Sequence, residues 1–314
     1  MVDDCSSKEA TALARIAGLL GLPPEGEVWL GDDAAVLAGT GGDRLLISSD
    51  ALVDGVHFDR SLVSLADAGW KALAVNVSDM AAMGARPLHA VVTVVGAALE
   101  DVAQLYEGLA EAAEAYGCPV VGGDLSDGPG LVISVAVTGS CGPAAPVLRS
   151  GAAPGDAIYV TGPLGRSEAG RRLLSGACRR SPSTEDRDCE LELAHRRPLA
   201  RVDEGRVARE LGATSMIDLS DGLGIDLDRV ATASGIGVVL DHVPVAPGAT
   251  LAEALGGGED YELLFSFPPA TAVPAGFGSA GLRPPVLIGR CVRDTSLRRL
   301  GEEDLPAAGF KHRL

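Results

Sequence analysis

Hydrophobic periodicity alternates between about 3.6 and 2 residues along the chain, and this alternation most narrows the folds open to it. Arg44–Ser49 is a short apolar strand ending in Asp50. Leu65–Met83 has helical spacing and stops at Gly84, a good C-terminal cap. Leu88–Val95 is a Val-rich strand, and Glu100–Tyr116 is an amphipathic helix closed by Gly117. Pro119–Val121 and Leu131–Thr138 are further strands, with the turn-rich Asp124–Gly130 between them. A Pro/Gly/Ala stretch, Gly142–Gly155, then marks a domain boundary, giving units 1–145 and 146–314. Beyond it come a strand at Ala157–Thr161, a helix from about Ser167, and helices near Ala200–Leu211 and Gly224–Ala233. Strands follow at Gly237–Leu240, Tyr261–Phe267 and Val286–Arg293, and Ser181–Asp188 reads as a mobile charged loop. The fold class expected is α/β or α+β in two domains, and 314 residues suffice for a core in each.

Charge excludes several partners. The formal net charge is −17, which repels nucleic-acid backbones and anionic membranes. Anionic substrates are tolerated only where cations or local basic residues invert the potential. The longest apolar run, Leu88–Leu99, is about half the ~20 residues of a membrane helix. Met1–Ser7 is acidic and polar, unlike the start of a signal peptide. Six scattered cysteines without a Cys-x-x-Cys pair fit reduced thiols, so a soluble cytoplasmic protein is expected.

The acidic residues gather in corners flanked by Gly or Ser: Gly31-Asp32-Asp33, Ser48-Ser49-Asp50, Ser78-Asp79, Gly122-Gly123-Asp124, Asp218-Leu219-Ser220-Asp221-Gly222 and Gly256–Asp260. Any one of them is more often a helix cap or a turn, with roughly one chance in five of being a ligand. Six of one kind shift the balance. Carboxylates brought together without a cation repel one another, so convergence implies a hard cation such as Mg²⁺. The chain has no P-loop, no protein-kinase signature and no dinucleotide fingerprint, so phosphates must rely on metals and on Arg149. Gly162-Pro163-Leu164-Gly165 leads into a helix whose N-terminus could take an anion, although a plain turn is the commoner use.

In chain order these corners resemble the motif set of the thiamine-monophosphate kinase family. The segments are Gly31–Val36, Ser48–Phe58, Lys71–Pro87, Val121–Leu125, Arg149–Gly151, Ile217–Leu223 and Gly257–Phe265, with Gly309-Phe310 near the end. The resemblance implies the two-domain fold of aminoimidazole ribonucleotide synthetase, with the first domain pairing in a homodimer. It implies ATP-dependent phosphorylation of thiamine monophosphate to thiamine diphosphate, the last step in making that cofactor. Carried over by position, Asp33, Ser48, Ser49, Asp50, Asp79, Asp124, Asp218 and Asp221 resemble Mg²⁺ ligands. Tyr106, Gly123, Asp124, Arg149 and Ser220 resemble ATP contacts, and His57, Glu259 and Phe310 substrate contacts. No general base is implied. Ser49 stands where the family usually has Thr, and Phe310 where it often has Tyr or Trp.

Other ATP-using members of the superfamily remain alternatives, as does a non-catalytic nucleotide-binding regulator. Selenophosphate synthetase normally carries a reactive Cys with a Lys near its start, and Cys5 has no such neighbour. The hydrogenase-maturation relative ends in a functional Cys, whereas this chain ends His312-Arg313-Leu314.

Overall fold

The path begins with α1 (Cys5–Leu20), β1 (Ala35–Ala38), β2 (Arg44–Val53), α2 (Leu65–Ala82), β3 (Arg86–Val95), α3 (Leu99–Tyr116), β4 (Val120–Ser126) and β5 (Val132–Ser140). The computed structural model describes residues 5–20, 22–39, 42–176 and 185–310. Its first sheet has the order β1-β2-β5-β3-β4, antiparallel except where β3 pairs β4 in parallel. The path continues with β6 (Ala157–Val160), α4 (Arg166–Leu174), α5 (Glu185–Arg196), α6 (Val202–Glu210), β7 (Ser215–Asp218), α7 (Leu223–Ser234) and β8 (Gly237–Leu240). It closes with α8 (Leu251–Gly256), β9 (Leu263–Phe267), α9 (Val273–Ser279), β10 (Val286–Val292), β11 (Arg298–Leu300) and β12 (Glu303–Asp304). These strands form a second mixed sheet, β12-β11-β8-β10-β6-β9-β7. The class is mixed α/β with two sheets and packed helices.

Helix α2 joins the two halves. Ser64 caps it by accepting from Asp67 N at 3.1 Å. Leu73, Val77 and Met80 pack into the core of the first sheet, while Ala81 and Ala82 pack with Phe265 and Phe277 of the second half. Helix α3 lies against α2 closely enough that a Cβ on Gly108 would stand 1.7 Å from Ala66 O, and one on Gly69 2.0 Å from Leu105 O. Only glycine permits that backbone approach.

Three expectations need correction. Gly122-Gly123-Asp124 is not a corner after a strand, because β4 runs on to Ser126. Glycine is depleted in strands and reads as a turn, but here a Cβ on Gly123 would meet Val92 O of β3 at 1.8 Å. Glu185–Asp188 is not loop but the first turn of α5, where three acidic residues suit the helix dipole. Residues 181–184 of that expected loop lie outside the described residues. Strand β2 extends through Asp50 to Val53, so Ser48, Ser49 and Asp50 sit within a strand and not at its end.

Gly108→Ala is expected to push α2 and α3 apart and to cost about 1–3 kcal/mol. Gly18→Ala, with nothing within 4 Å of the added methyl on exposed α1, is expected to gain up to about 1 kcal/mol. Melting temperatures of the two variants, moving in opposite directions, are the check.

Candidate functional site

Asp33 follows the turn before β1, Asp79 lies on α2 and Asp218 ends β7, so three remote segments each deliver one carboxylate. Among the described residues, one oxygen from each lies within 4.8 Å of the others. Helix α2 also supplies Ser78, whose hydroxyl donates to Asp218, and Asn76, whose Oδ1 accepts from Asp50 N at 2.9 Å. Arg149 donates to Asp33 at 2.6 Å through its guanidinium, and its backbone N donates to Asp32 at 3.1 Å. Burial pushes the Asp79 and Asp218 carboxyls well above the usual range, and their neighbouring carboxylates push the same way. Burial and Asp33 raise Asp32 to about 6.

Asp33 Oδ2 is buried without a hydrogen-bond partner. Buried oxygens left so are rare and costly, and hard all-oxygen donors are what a divalent cation of the Mg²⁺ or Ca²⁺ type takes. The donor set therefore fits such an ion. Asp124 does not join this group: it is exposed on β4 and accepts from Ser126 Oγ at 2.6 Å. Asp221 pairs with Arg229 at 2.6 Å, and Ser49 Oγ donates to Val135 O at 3.1 Å. Tyr106 packs half-buried against the first core. The N-terminus of α4 is not a ligand site, since Gly165 N and Ser167 N already donate to Asp260 at 2.6 and 3.2 Å.

A cleft of about 1200 Å³ is lined by Asp50, Ser220 and Asp221 together with His57, Glu259 and Phe310. The segment 256–262 and the C-terminal stretch grip the 218–222 corner by backbone. Glu259 N donates to Ser220 O at 2.7 Å, Tyr261 N to Leu219 O at 3.0 Å, and Phe310 N to Asp221 O at 2.9 Å. Glu259 and Tyr261 have φ of 56° and 49°, strained for residues with side chains, each costing about 1–3 kcal/mol. The rings of His57 and Phe310 stand 6.3 Å apart at 54°. His57 Nδ1 accepts from Val53 N at 3.0 Å, which leaves Nε2 to carry the proton in the neutral ring.

Two residues given no role in the sequence reading sit beside Glu259. Lys71 Nζ lies 2.6 Å from its Oε1, and His195 Nδ1 lies 3.5 Å from its Oε2. Burial, with the cations Lys71, Arg171 and Arg196 nearby, pushes His195 down to about 3. Its ring is therefore neutral near pH 7, and its contact with Glu259 is not an ion pair. His195 left no local signal in the sequence. Lys71 did: it is a lone cation in an otherwise small and apolar stretch.

Two family models match the chain, the AIR synthase related protein N-terminal domain over residues 31–141 and its C-terminal domain over 153–300. The thiamine-monophosphate kinase of Rhodopirellula baltica is 36% identical over 289 residues, covering 84% of this chain and 83% of its own. That of Escherichia coli K12 is 38% identical over 258 residues, 77% of each chain. The chain belongs to the thiamine-monophosphate kinase family. Among solved structures, AaThiL complexed with AMPPCP and TMP superposes with a TM-score of 0.85 at 30% identity over 97% of each chain. The thiamine monophosphate kinase of Aquifex aeolicus gives 0.76 at 30% identity, covering 93% of this chain and 96% of its own. Escherichia coli HypE, at 20% identity and a TM-score of 0.66 over 87% of this chain and 86% of its own, shares the fold alone.

Asp79→Asn removes one of three crowded charges while keeping the shape. Without divalent cations it is expected to melt higher than the parent, and to lose most of the melting-temperature gain that added Mg²⁺ gives the parent. Scanning both proteins in EDTA and in Mg²⁺ tests this.

Proposed function

We propose that this chain, as a cytoplasmic homodimer, transfers the γ-phosphoryl group of ATP directly to thiamine monophosphate, giving thiamine diphosphate and ADP. The observation that carries the reading is the meeting of Asp33, Asp79 and Asp218 beside a cleft that also holds His57, Glu259 and Phe310. Its relatives' names and the AMPPCP and TMP bound in AaThiL supply the substrates.

Asp33, Ser48, Asp50, Asp79 and Asp218 would hold Mg²⁺, with Ser49, Asp124 and Asp221 completing the set once nucleotide arrives. Bound Mg²⁺ supplies charge neutralisation for two anions brought together. Arg149 and Ser220 orient the nucleotide, with Gly123, Asp124 and Tyr106 beside it. His57 and Phe310 flank the flat heterocycle, and Glu259 accepts from its polar edge. The acceptor phosphate has a second pKa near ~6 and is already ionised at neutral pH, so no side chain must remove a proton. Its oxygen forms the new P–O bond as the β–γ bridging bond breaks and ADP leaves, with no phosphorylated side chain between.

A second copy is favoured by the outer face of the first sheet, which exposes Ile47 and Val91, and by its edge strand β4, which exposes Val121 and Leu125. No described helix is long and apolar enough to cross a membrane.

ADP release is expected on adding thiamine monophosphate with ATP and Mg²⁺, and to stop in EDTA. Asp79→Ala should lower kcat by about 10²–10³-fold, and His57→Ala should act chiefly on KM for thiamine monophosphate. Phosphate from labelled ATP found on the protein, or full activity in Asp79→Ala, would overturn the direct-transfer reading.

A further inference from the structure

Lys71 is among the largest fully buried side chains of the described residues, with its side chain 0% exposed. An ammonium group in that position is tolerated only when paired and hydrogen-bonded. Both conditions are met by groups of the substrate cleft. Nζ pairs with Glu259 Oε1 at 2.6 Å and donates to His57 O at 3.3 Å. His57 follows β2 in the first half of the chain, and Glu259 precedes β9 in the second. One buried cation thus ties together two of the three residues assigned to the substrate, across the junction between the sheets.

We propose that Lys71 is a positioning residue for substrate recognition, fixing the Glu259 carboxylate so that it reads a neutral N–H donor on the heterocycle and not a positive charge. The inference rests on the function proposed above. Oε1 is held by the ammonium, and the pair carries no net charge, so it offers a cationic ring little attraction. Oε2 stands 3.5 Å from a neutral imidazole, too long to saturate it, while the side chain remains 27% exposed at the cleft. His195 is itself steadied by Ser167 Oγ at 3.1 Å and so forms a fixed wall on that side. The strained backbone at Glu259 and Tyr261 delivers the carboxylate to this place, and the buried ammonium opposes its relaxation. An exocyclic amino group on an aminopyrimidine is a donor of the required kind, and a half-buried carboxylate left without it loses a charge-assisted hydrogen bond.

The test compares parent, Lys71→Met, Glu259→Gln and the double variant. Substrates are thiamine monophosphate and its analogue with the pyrimidine amino group replaced by hydrogen. The parent is expected to prefer the amino compound by about tenfold or more in kcat/KM. Lys71→Met should raise KM for thiamine monophosphate by about tenfold, leave KM for ATP within about twofold, and erase the preference. The double variant should bind no worse than Glu259→Gln. Unchanged KM and preference in Lys71→Met, or a fall in kcat equal for both compounds with their ratio intact, would show a structural role alone. Should Lys71→Met fail to fold, melting temperatures decide: Glu259→Gln strands a buried cation, so the double variant must melt at least as high as that single one. A lower melting temperature overturns the inference. Absence of ADP release by the parent would count against the proposed function, while the melting comparison still judges the pair.

Discussion

The burial of α2 between the two sheets governs the rest of the molecule. Fifteen of its eighteen residues are buried, so almost no position on it can hold a polar group without a partner from elsewhere in the fold. Its polar side chains therefore mark where other segments must come. Asp67 draws Arg197 from beyond α5, Lys71 draws Glu259, Asn76 meets Asp50 N, and Ser78 meets Asp218. Asp79 is the exception: its carboxylate faces two others. A helix that would be an ordinary hydrophobic core element if its polar positions were alanine becomes the scaffold on which both ends of the site are hung.

The cost of that exception can be weighed. Two ionised carboxylates closer than 4.8 Å at an effective dielectric near ~20 repel by at least about 3 kcal/mol. Three pairs of that size rival the whole stability of a domain, about 5–15 kcal/mol. The raised proton affinities of Asp79 and Asp218 express the same tension. Arg149 relieves part of it through Asp33, but its Nε is itself buried without a partner. A cation with several oxygen ligands would remove the repulsion and satisfy the orphaned Asp33 oxygen at once.

Much of this was legible in the sequence, and the failures have physical reasons. The strand and helix order was readable because core-facing positions repeat with the period of each element, and the glycine-flanked acidic corners stood out because six of one kind recur, although each alone reads as a cap or turn. Gly122-Gly123 misled because glycine's usual role in a turn hides its rarer one, close approach of a parallel neighbour at Val92. Asp124 looked equivalent to Asp79, but it sits on an exposed edge strand and, among the described residues, is not part of the three-carboxylate group. Lys71 was missed for the opposite reason. A lysine on a helix is assumed to be solvated, although the apolar residues around the full turn of α2 say that it is buried. His195 depends on the packing of α4 against α5, which no local pattern encodes.

The overall charge of −17 and the chemistry of two anionic substrates then stand in less conflict than they first suggest. Surface charge is screened beyond about 8 Å at physiological ionic strength, so most of it does not reach the cleft. What reaches it is local. The cations near the site are already committed, Arg149 to Asp33, Arg229 to Asp221 and Lys71 to Glu259. Each is thus partly neutralised where it stands. Under the function proposed above, attraction would come with the nucleotide, as a divalent cation it carries, and the carboxylate cluster would repel the bare form. The same economy explains the other end of the cleft, where a charge-neutral pair leaves recognition to shape and hydrogen bonding.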